Sequence, residues 1–133
     1  MAPTKKGAVL AVVFAIALGG SLGAVSRYGI GEFVERRVVS VFPWDIFVVN
    51  MTGCLAAEIL VSALVDRHHT PEWLRLGLVT GFVGAYTTFS TFSQDLYDLG
   101  EAREFAVLLL NLAASVGGGA LAVLAGTWVG RML

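Results

Sequence analysis

Apolar residues are gathered into four long runs along the chain, and three short polar stretches separate them. The runs cover residues 8–28, 46–65, 74–92 and 105–129. A helix that crosses a bilayer needs about 20 mainly apolar residues, which is close to the length of each run. Pro43 and Pro71 fall in the polar stretches, where a missing backbone N–H disrupts a helix least. The pattern predicts an all-α membrane protein with four transmembrane helices, organised as one domain over residues 1–133.

Composition and the placement of aromatic residues agree with this prediction. Of the 133 residues, 56% are hydrophobic and only 14% are charged, whereas soluble domains carry about 25% charged residues. The net charge of −1 gives no reason to expect a nucleic-acid partner. Aromatic residues that lie at the ends of the runs, as in the interfacial belts of membrane proteins, are Trp44, Trp73, Trp128, Tyr28 and Tyr97.

Basic residues are divided almost equally between the two sides of the predicted bundle. With an even number of spans both termini lie on one side, and orientation is normally set by an excess of Lys and Arg on the cytoplasmic side. Either the chain inserts both ways round, or the difference is too small to interpret, and both interpretations stay open. One side carries Lys5, Lys6, Arg67, Arg75 and Arg131, and the other carries Arg27, Arg36, Arg37 and Arg103.

The third run is the most polar, with the sequence TGFVGAYTTFSTFSQD over residues 80–95. Threonine and serine beside glycine hold a regular helix poorly, so we predict an interruption near residues 84–88. Irregular backbone at membrane depth persists only where protein or a water-filled cavity covers it, and its freed carbonyls can bind a cation. The alternative is a continuous, hydroxyl-rich packing helix.

Other polar and aromatic residues inside the runs are candidates for a permeation site, because such groups are costly in lipid. Phe89 and Phe92 are three residues apart and share a helix face, although lipid-facing side chains would show the same spacing. Asn50 in the second run, and Asn111 with Ser115 one turn away in the fourth, are equally consistent with hydrogen bonds between helices.

Small residues are abundant, and the chain contains 16 glycines. Gly19 and Gly23, like Gly126 and Gly130, have the four-residue spacing that allows close contact between helix backbones. These contacts could lie within one subunit. The number of glycines nevertheless favours a tightly packed oligomer, and a symmetric dimer is the commonest kind.

Three segments, in this order and spacing, resemble the CrcB/Fluc family of fluoride channels: GGSLGAVSRY at residues 19–28, VVNMTG at 48–53 and GFVGAYTTFSTF at 81–92. The resemblance implies an antiparallel, dual-topology dimer in the cell inner (plasma) membrane, with two pores that allow passive fluoride efflux and lower cytoplasmic fluoride. It also implies a structural sodium ion, not transported, on the backbone carbonyls of Gly84 and Thr87. The implied pore residues are Asn50, Phe89, Ser90, Thr91, Phe92 and Ser115, with Arg27 at the pore mouth.

The chain departs from the family pattern at several positions. Asp45, Ile46 and Phe47 precede the second motif, Glu58 replaces what is commonly a small residue, and Asp95 stands where glutamate is frequent. These departures leave open a heterodimer with a nonidentical partner subunit, in place of the expected homodimer.

The implied pore residues suit an anion. Transfer of a bare ion to a low-dielectric medium costs tens of kcal/mol, so donors must replace its water. Hydroxyls and amides donate hydrogen bonds, and aromatic rings carry positive charge at their edges. No Lys or Arg lies mid-span to trap the ion, while Arg27 could raise the anion concentration near a mouth.

Two other functions remain as alternatives. Glu58 is the only carboxylate well inside a span, so it could serve a proton-coupled small exporter, or simply bond within the bundle. The chain could also be a non-conducting partner subunit of a heterodimeric channel. An enzyme is not expected, because His68 and His69 lie in a polar loop with no cysteine nearby.

Overall fold

The computed structural model describes residues 5–64 and 70–132, which form helices and short connections. His68 and His69 lie outside the described residues. Three helices are long and apolar enough to cross a membrane, while the third crossing is built from shorter pieces. In chain order the elements are α1 (Lys5–Glu35), α2 (Trp44–Leu64), α3 (Glu72–Leu76), a π-helix (Gly77–Val83), α4 (Gly84–Tyr86), α5 (Phe89–Glu101) and α6 (Phe105–Met132).

The pieces of the third crossing form two rods. Backbone dihedral angles stay helical where α3 meets the π-helix and where the π-helix meets α4. Residues 72–86 therefore make one continuous rod, and α5 makes a second. We call residues 72–101 the third segment. The prediction of four helical segments with an interrupted third one is confirmed.

Two of the helical segments continue beyond the predicted membrane spans. α1 continues to Glu35, beyond the predicted end at residue 28, and the third segment continues to Glu101, beyond residue 92. The apolar runs mark the part of a helix that suits lipid, whereas a helix needs only favourable backbone geometry to continue into polar sequence. Ion pairs one turn apart support such ends, and Arg36 donates to Glu32 at 2.7 Å just beyond the predicted span.

Glycines bring the helices together within the chain. A methyl group on Gly19 or Gly23 of α1 would overlap the backbone carbonyls of Gly77 and Phe82, so α1 lies directly against the third segment. Gly126 and Gly130 place α6 equally close to α2, next to residues 55–62. These two glycine pairs therefore serve contacts inside one subunit, which was one of the two interpretations of their spacing.

The outer surface of the bundle is apolar. Long aliphatic and aromatic side chains of α1 and α6 are more than half exposed, among them Phe14, Leu22, Leu121 and Trp128. The buried interior is small and includes the polar side chains of Ser62, Thr88 and Asn111. Lipid can cover the outer surface at little cost, so the polar groups of the interior are the ones that need an explanation.

Candidate functional site

The third segment is interrupted at two residues. α4 ends at Tyr86, and Thr87 (φ −75°, ψ 155°) and Thr88 (φ −147°, ψ 121°) are extended before α5 begins at Phe89. The interruption predicted near residues 84–88 is confirmed, and the alternative of a continuous helix is wrong. The chain thus places two extended residues where an unbroken helix would satisfy every backbone group.

A side chain from α2 satisfies the backbone at this break. The Thr88 N–H donates to Asn50 Oδ1 at 2.8 Å, and Asn50 Nδ2 donates to the Thr88 carbonyl oxygen at 3.0 Å. Unpaired backbone groups cost several kcal/mol each in lipid, so this pair of hydrogen bonds stabilises the break. Sequence reasoning placed Asn50 in the pore or between helices, and the structure pairs it with the broken backbone. Its amide keeps one further N–H for another acceptor.

Gly53, one turn after Asn50, makes room for the break. A methyl group at this position would overlap Thr87 Cγ2 and lie 3.1 Å from Tyr86 Cδ1. The Tyr86 hydroxyl in turn lies 2.8 Å from the hydroxyl of Thr52. α2 therefore contacts the break through a glycine and two hydrogen-bonding side chains, which fixes the extended residues against it.

Three hydroxyl groups meet at the start of α5. Thr88 Oγ1 caps this helix by accepting from the Thr91 N–H at 3.2 Å. It also lies 3.0 Å from Thr91 Oγ1 and 3.2 Å from Ser90 Oγ. Thr88 is buried, while Ser90 and Thr91 are exposed. Each hydroxyl has one proton, so Thr88 donates to one neighbour and accepts from the other, and one proton of the exposed pair remains available for an acceptor outside the cluster.

The break borders a cavity of about 260 Å³, which we call the inner cavity. It brings together four of the predicted pore residues, Asn50, Phe89, Phe92 and Ser115, and also Thr87. Sequence reasoning missed its other lining residues. Thr88 could have been found as the extended neighbour of Thr87, whereas Met51, Cys54 and Val116 carry no signal beyond their proximity to Asn50 and Ser115.

The two phenylalanines of the inner cavity differ in exposure. Phe92 is 8% exposed and Phe89 is 79% exposed, and their ring centroids lie 6.0 Å apart at an angle of 51°. The shared face predicted from their spacing is therefore present, with one ring held by the subunit and the other on its surface.

A second cavity of about 350 Å³, which we call the outer cavity, lies between α1, α2 and the start of α5. Its lining includes Arg27 and Thr91, together with the acidic residues Glu35 and Asp45. Glu32 also lines it but is paired with Arg36. Arg27, predicted from the sequence to lie at a pore mouth, lines this cavity beside carboxylates that offset its attraction for anions.

The two cavities are adjacent at a pair of hydroxyl groups. Thr88 lines the inner cavity, Thr91 lines the outer one, and their Oγ1 atoms are 3.0 Å apart. Ser90 lines neither cavity, although its hydroxyl contacts Thr88. The hydroxyl groups of Thr88 and Thr91 at the start of α5 therefore lie between the two spaces.

One turn beyond this start, Asp95 has a partly buried carboxyl group whose Oδ2 atom has no hydrogen-bond partner among the described residues. Burial, together with the neighbouring Asp45 and Asp98, raises the pKa of Asp95 to about 6. Asp45 was noted as a departure from the family pattern, and the structure links it electrostatically to Asp95.

Two polar groups of α6 take different positions. Ser115 lines the inner cavity and donates to Asn111 Oδ1 at 3.0 Å. Thr127 lies at the contact with α2, where its hydroxyl is 3.3 Å from Glu58 Oε2. Glu58 lines neither the inner nor the outer cavity. Its bond to Thr127 within the bundle agrees with the second of the two interpretations of Glu58 given above.

No group of three His, Cys, Asp or Glu side chains comes together in residues 5–64 and 70–132, and the ligands predicted for a cation at this site are backbone oxygens at the break. In a continuous helix the Thr88 N–H would pair with the carbonyl of Gly84, and here it donates to Asn50 instead. The extended Thr87 also directs its carbonyl out of the helical pattern. The two carbonyls named from the sequence are therefore of the kind that suits a cation.

Comparison with known proteins identifies the family. Residues 14–127 match the family model described as CrcB-like protein, Camphor Resistance (CrcB). The chain belongs to the CrcB family. Relatives named "Fluoride-specific ion channel FluC" include one from Rhizobium etli that is 40% identical over 90% of this chain and 96% of its own length. Another, from Chloroflexus aurantiacus, is 38% identical over 90% of this chain and 94% of its own length. One from Dichelobacter nodosus is 39% identical over 89% of this chain and 95% of its own length.

The family membership confirms the resemblance found from the three motifs. The CrcB chain described here is a multi-pass membrane protein of an ion-channel family, and it is not an enzyme. The three motifs meet in space: the first lies on the α1 face against the third segment, and the second supplies Asn50 and Gly53 to the break.

Proposed function

We propose that this CrcB chain forms a fluoride-selective channel in the cell inner membrane, through which fluoride leaves passively and cytoplasmic fluoride falls. The observation that carries the proposal is the inner cavity, where the break, an amide, hydroxyls and two phenylalanines surround one space with no Lys or Arg in its lining. The identity of the ion, fluoride, is taken from the names of the relatives.

The inner cavity offers hydrogen-bond donors to an anion, and its lining carries no fixed positive charge. The second N–H of the Asn50 amide remains free of the Thr88 carbonyl, and the first turn of α5 presents the positive end of a helix dipole. Ser90 and Thr91 have exposed hydroxyls at the same turn. Replacement of water by several such moderate donors allows an ion both to enter and to leave, as conduction requires.

The phenylalanines would contribute ring edges, which are positively polarised. Phe92 is held by its burial, so its ring has a fixed orientation toward the cavity. Phe89 is on the surface of the subunit and would need a neighbour to hold it. A tight, aromatic passage of this kind favours the smallest halide, which we propose as the basis of selectivity over chloride.

A second copy of the chain would complete the site. Gly84, Phe89 and Ser90 are exposed beside the break, and the Gly84 carbonyl has lost its helical partner there, which lipid cannot replace. We therefore propose a homodimer that covers this surface. The near-equal numbers of basic residues on the two sides support insertion in both orientations and an antiparallel pair. A heterodimer with a related chain would cover the same surface.

We further propose that the dimer holds a structural sodium ion on the Gly84 and Thr87 carbonyls. These carbonyls fit a cation because the break removes the usual partner of Gly84 and turns Thr87 out of the helix. A pair of carbonyls from each of two subunits would form a shared oxygen shell. The ion would then join the two breaks and take no part in conduction.

The proton-coupled alternative is not favoured, because Glu58 lines neither cavity and contacts Thr127 instead. The deciding experiment loads liposomes containing the purified chain with fluoride or with chloride and follows efflux down the gradient. We expect fluoride efflux without an imposed pH gradient, unchanged in Glu58→Gln, and little chloride efflux. Equal passage of chloride would contradict selectivity, and a silent protein rescued by a coexpressed relative would indicate a partner subunit.

A further inference from the structure

The most deeply buried polar side chain of the described residues borders the inner cavity. Asn111 is 1% exposed, and its Nδ2 atom has no hydrogen-bond partner among the described residues. Its only side-chain hydrogen bond is at Oδ1, which accepts the hydroxyl proton of Ser115 at 3.0 Å. Ser115 in turn lines the inner cavity, whereas Asn111 does not. A buried amide without a partner for its two N–H groups is unusual and needs an explanation.

In this arrangement Ser115 has the wrong polarity for an anion. A serine hydroxyl has one proton, and here that proton is directed at Asn111. The cavity therefore meets the lone pairs of Ser115, which repel a negative ion. The same geometry has a second solution, because rotation of the Asn111 amide by half a turn exchanges its oxygen and nitrogen at nearly the same positions.

After that rotation Asn111 Nδ2 donates to Ser115 Oγ, and the Ser115 proton is free to point into the cavity. The number of hydrogen bonds between the two side chains is the same in both arrangements. An acceptor in the cavity decides between them, because only the rotated arrangement gives it a donor. The pair thus has two states of similar energy that an anion can bias.

We propose that Asn111 is a positioning residue that turns the Ser115 hydroxyl from acceptor to donor when an anion enters the inner cavity. This role rests on the proposed fluoride channel and adds to it a residue that never touches the ion. Asn111 acts only through Ser115, and this gives the role a signature that a purely structural residue lacks.

The test is a double-mutant cycle in the liposome efflux assay. Asn111→Leu removes the amide at similar size, so the Ser115 proton turns to a carbonyl of its own helix. We expect fluoride flux to fall about tenfold, the size of one hydrogen bond to a charged group. Ser115→Ala should cause a similar loss, and Asn111→Leu should then add little in the Ser115→Ala background. Thr127→Val, which removes a hydroxyl from α6 outside both cavities, is the control and should conduct as the wild type does.

The outcomes separate this role from the proposed function. Suppose that the wild type conducts fluoride but Asn111→Leu lowers the flux by the same factor in the wild-type and in the Ser115→Ala background. Asn111 is then structural, and the positioning role is wrong. A wild-type flux equal for fluoride and chloride overturns the selective channel, and the role with it. Asn111→Ala repeats the cycle if the leucine variant does not fold, and thermal unfolding of each variant in detergent separates lost flux from lost protein.

Discussion

Asn50 and Thr88 are joined by two hydrogen bonds between one side-chain amide and the backbone at the break. The Asn50 oxygen accepts from the Thr88 N–H at 2.8 Å, and its nitrogen donates to the Thr88 carbonyl at 3.0 Å. The amide reproduces the donor and acceptor of a peptide group, so the Thr88 N–H keeps a partner where the chain leaves the helix. An asparagine on one helix thereby permits a break in another.

The first prediction concerns this pair. Asn50→Ala removes the acceptor of the Thr88 N–H, and a buried donor without a partner costs about 1–3 kcal/mol. We expect a lower unfolding temperature in detergent and loss of fluoride flux. Asn50→Asp is the matched control, because it keeps the acceptor for the Thr88 N–H, and it should be affected less in stability than the alanine variant. Wild-type stability in Asn50→Ala would contradict the structural part of this assignment.

The second prediction uses two glycines in different surroundings. At Gly53 a methyl group overlaps Thr87 Cγ2, whereas at Gly117 of α6 nothing lies within 4 Å. Overpacking of this kind costs about 1–3 kcal/mol, while alanine is otherwise favoured over glycine in a helix by about 0.5–1 kcal/mol. Gly53→Ala should therefore lower the unfolding temperature of the detergent-solubilised protein. Gly117→Ala should leave it unchanged or raise it, and a reversed order would show that the break does not lie against Gly53.

The third prediction compares the two phenylalanines. Phe92→Leu changes a buried ring and should cost about 1 kcal/mol or more of stability, since buried large-to-small changes leave space unfilled. Phe89→Leu changes a ring that is 79% exposed in the subunit and should leave the stability of a single subunit almost unchanged. We expect both to reduce fluoride flux through liposomes. Unchanged flux in both variants would remove the aromatic rings from the mechanism.

The fourth prediction concerns pH. The pKa of Asp95 is raised to about 6, above its ordinary value, so the folded protein favours the neutral carboxyl. Stability from this group is full at low pH and is lost as pH rises through about 6. A shift of two units corresponds to about 3 kcal/mol, and partial exposure reduces this to about 1 kcal/mol. The loss begins near the unfolded value of 3.8, so the unfolding temperature should fall between about pH 4 and pH 7.

Asp95→Asn is the variant that tests the source of this dependence. It removes the titrating group, so its unfolding temperature should change less over the same pH range. Asp98→Asn serves as the comparison, because Asp98 raises the pKa of Asp95 only as a neighbouring charge. Equal pH dependence in the wild type and in Asp95→Asn would assign the effect to another group.

The fifth prediction concerns sodium. If the carbonyls of Gly84 and Thr87 hold the ion between two subunits, replacement of sodium by a large organic cation should lower the fraction of dimer measured by light scattering in detergent. Titration with sodium should restore it, by the linkage between binding and association. A dimer fraction that does not respond to sodium would remove the ion from the assembly.

The break was predictable from sequence because its cause is local. Threonines and serines next to glycine weaken a helix wherever they stand, and Thr87 and Thr88 carry that signal. The partner of the break was not predictable, since Asn50 lies 38 residues away and its amide could equally have bonded to another helix or to an ion. Pairing of this kind depends on how α2 packs, which a single residue does not reveal.

The glycine pairs illustrate the same limit. Spacing alone indicates that backbones approach closely, and the prediction of close contact at Gly19 and Gly23 is correct. Whether the neighbour belongs to the same chain depends on the three-dimensional arrangement, and here Gly77 and Phe82 of the same subunit occupy that place. The π-helix of Gly77–Val83, against which α1 lies, has no sequence pattern of its own and was not predicted.

The hydroxyl of Thr88 has two tasks that cannot be separated. It holds the first turn of α5 by accepting from the Thr91 N–H, and it stands between the inner and outer cavities. A cap of this type is worth about 1 kcal/mol to a helix. A rotation of this side chain that widened the passage would therefore unwind the beginning of α5 at the same time. If fluoride passes between the two cavities at this point, its transit would be coupled to the fraying of one helical turn, and mutations that stiffen that turn should slow it.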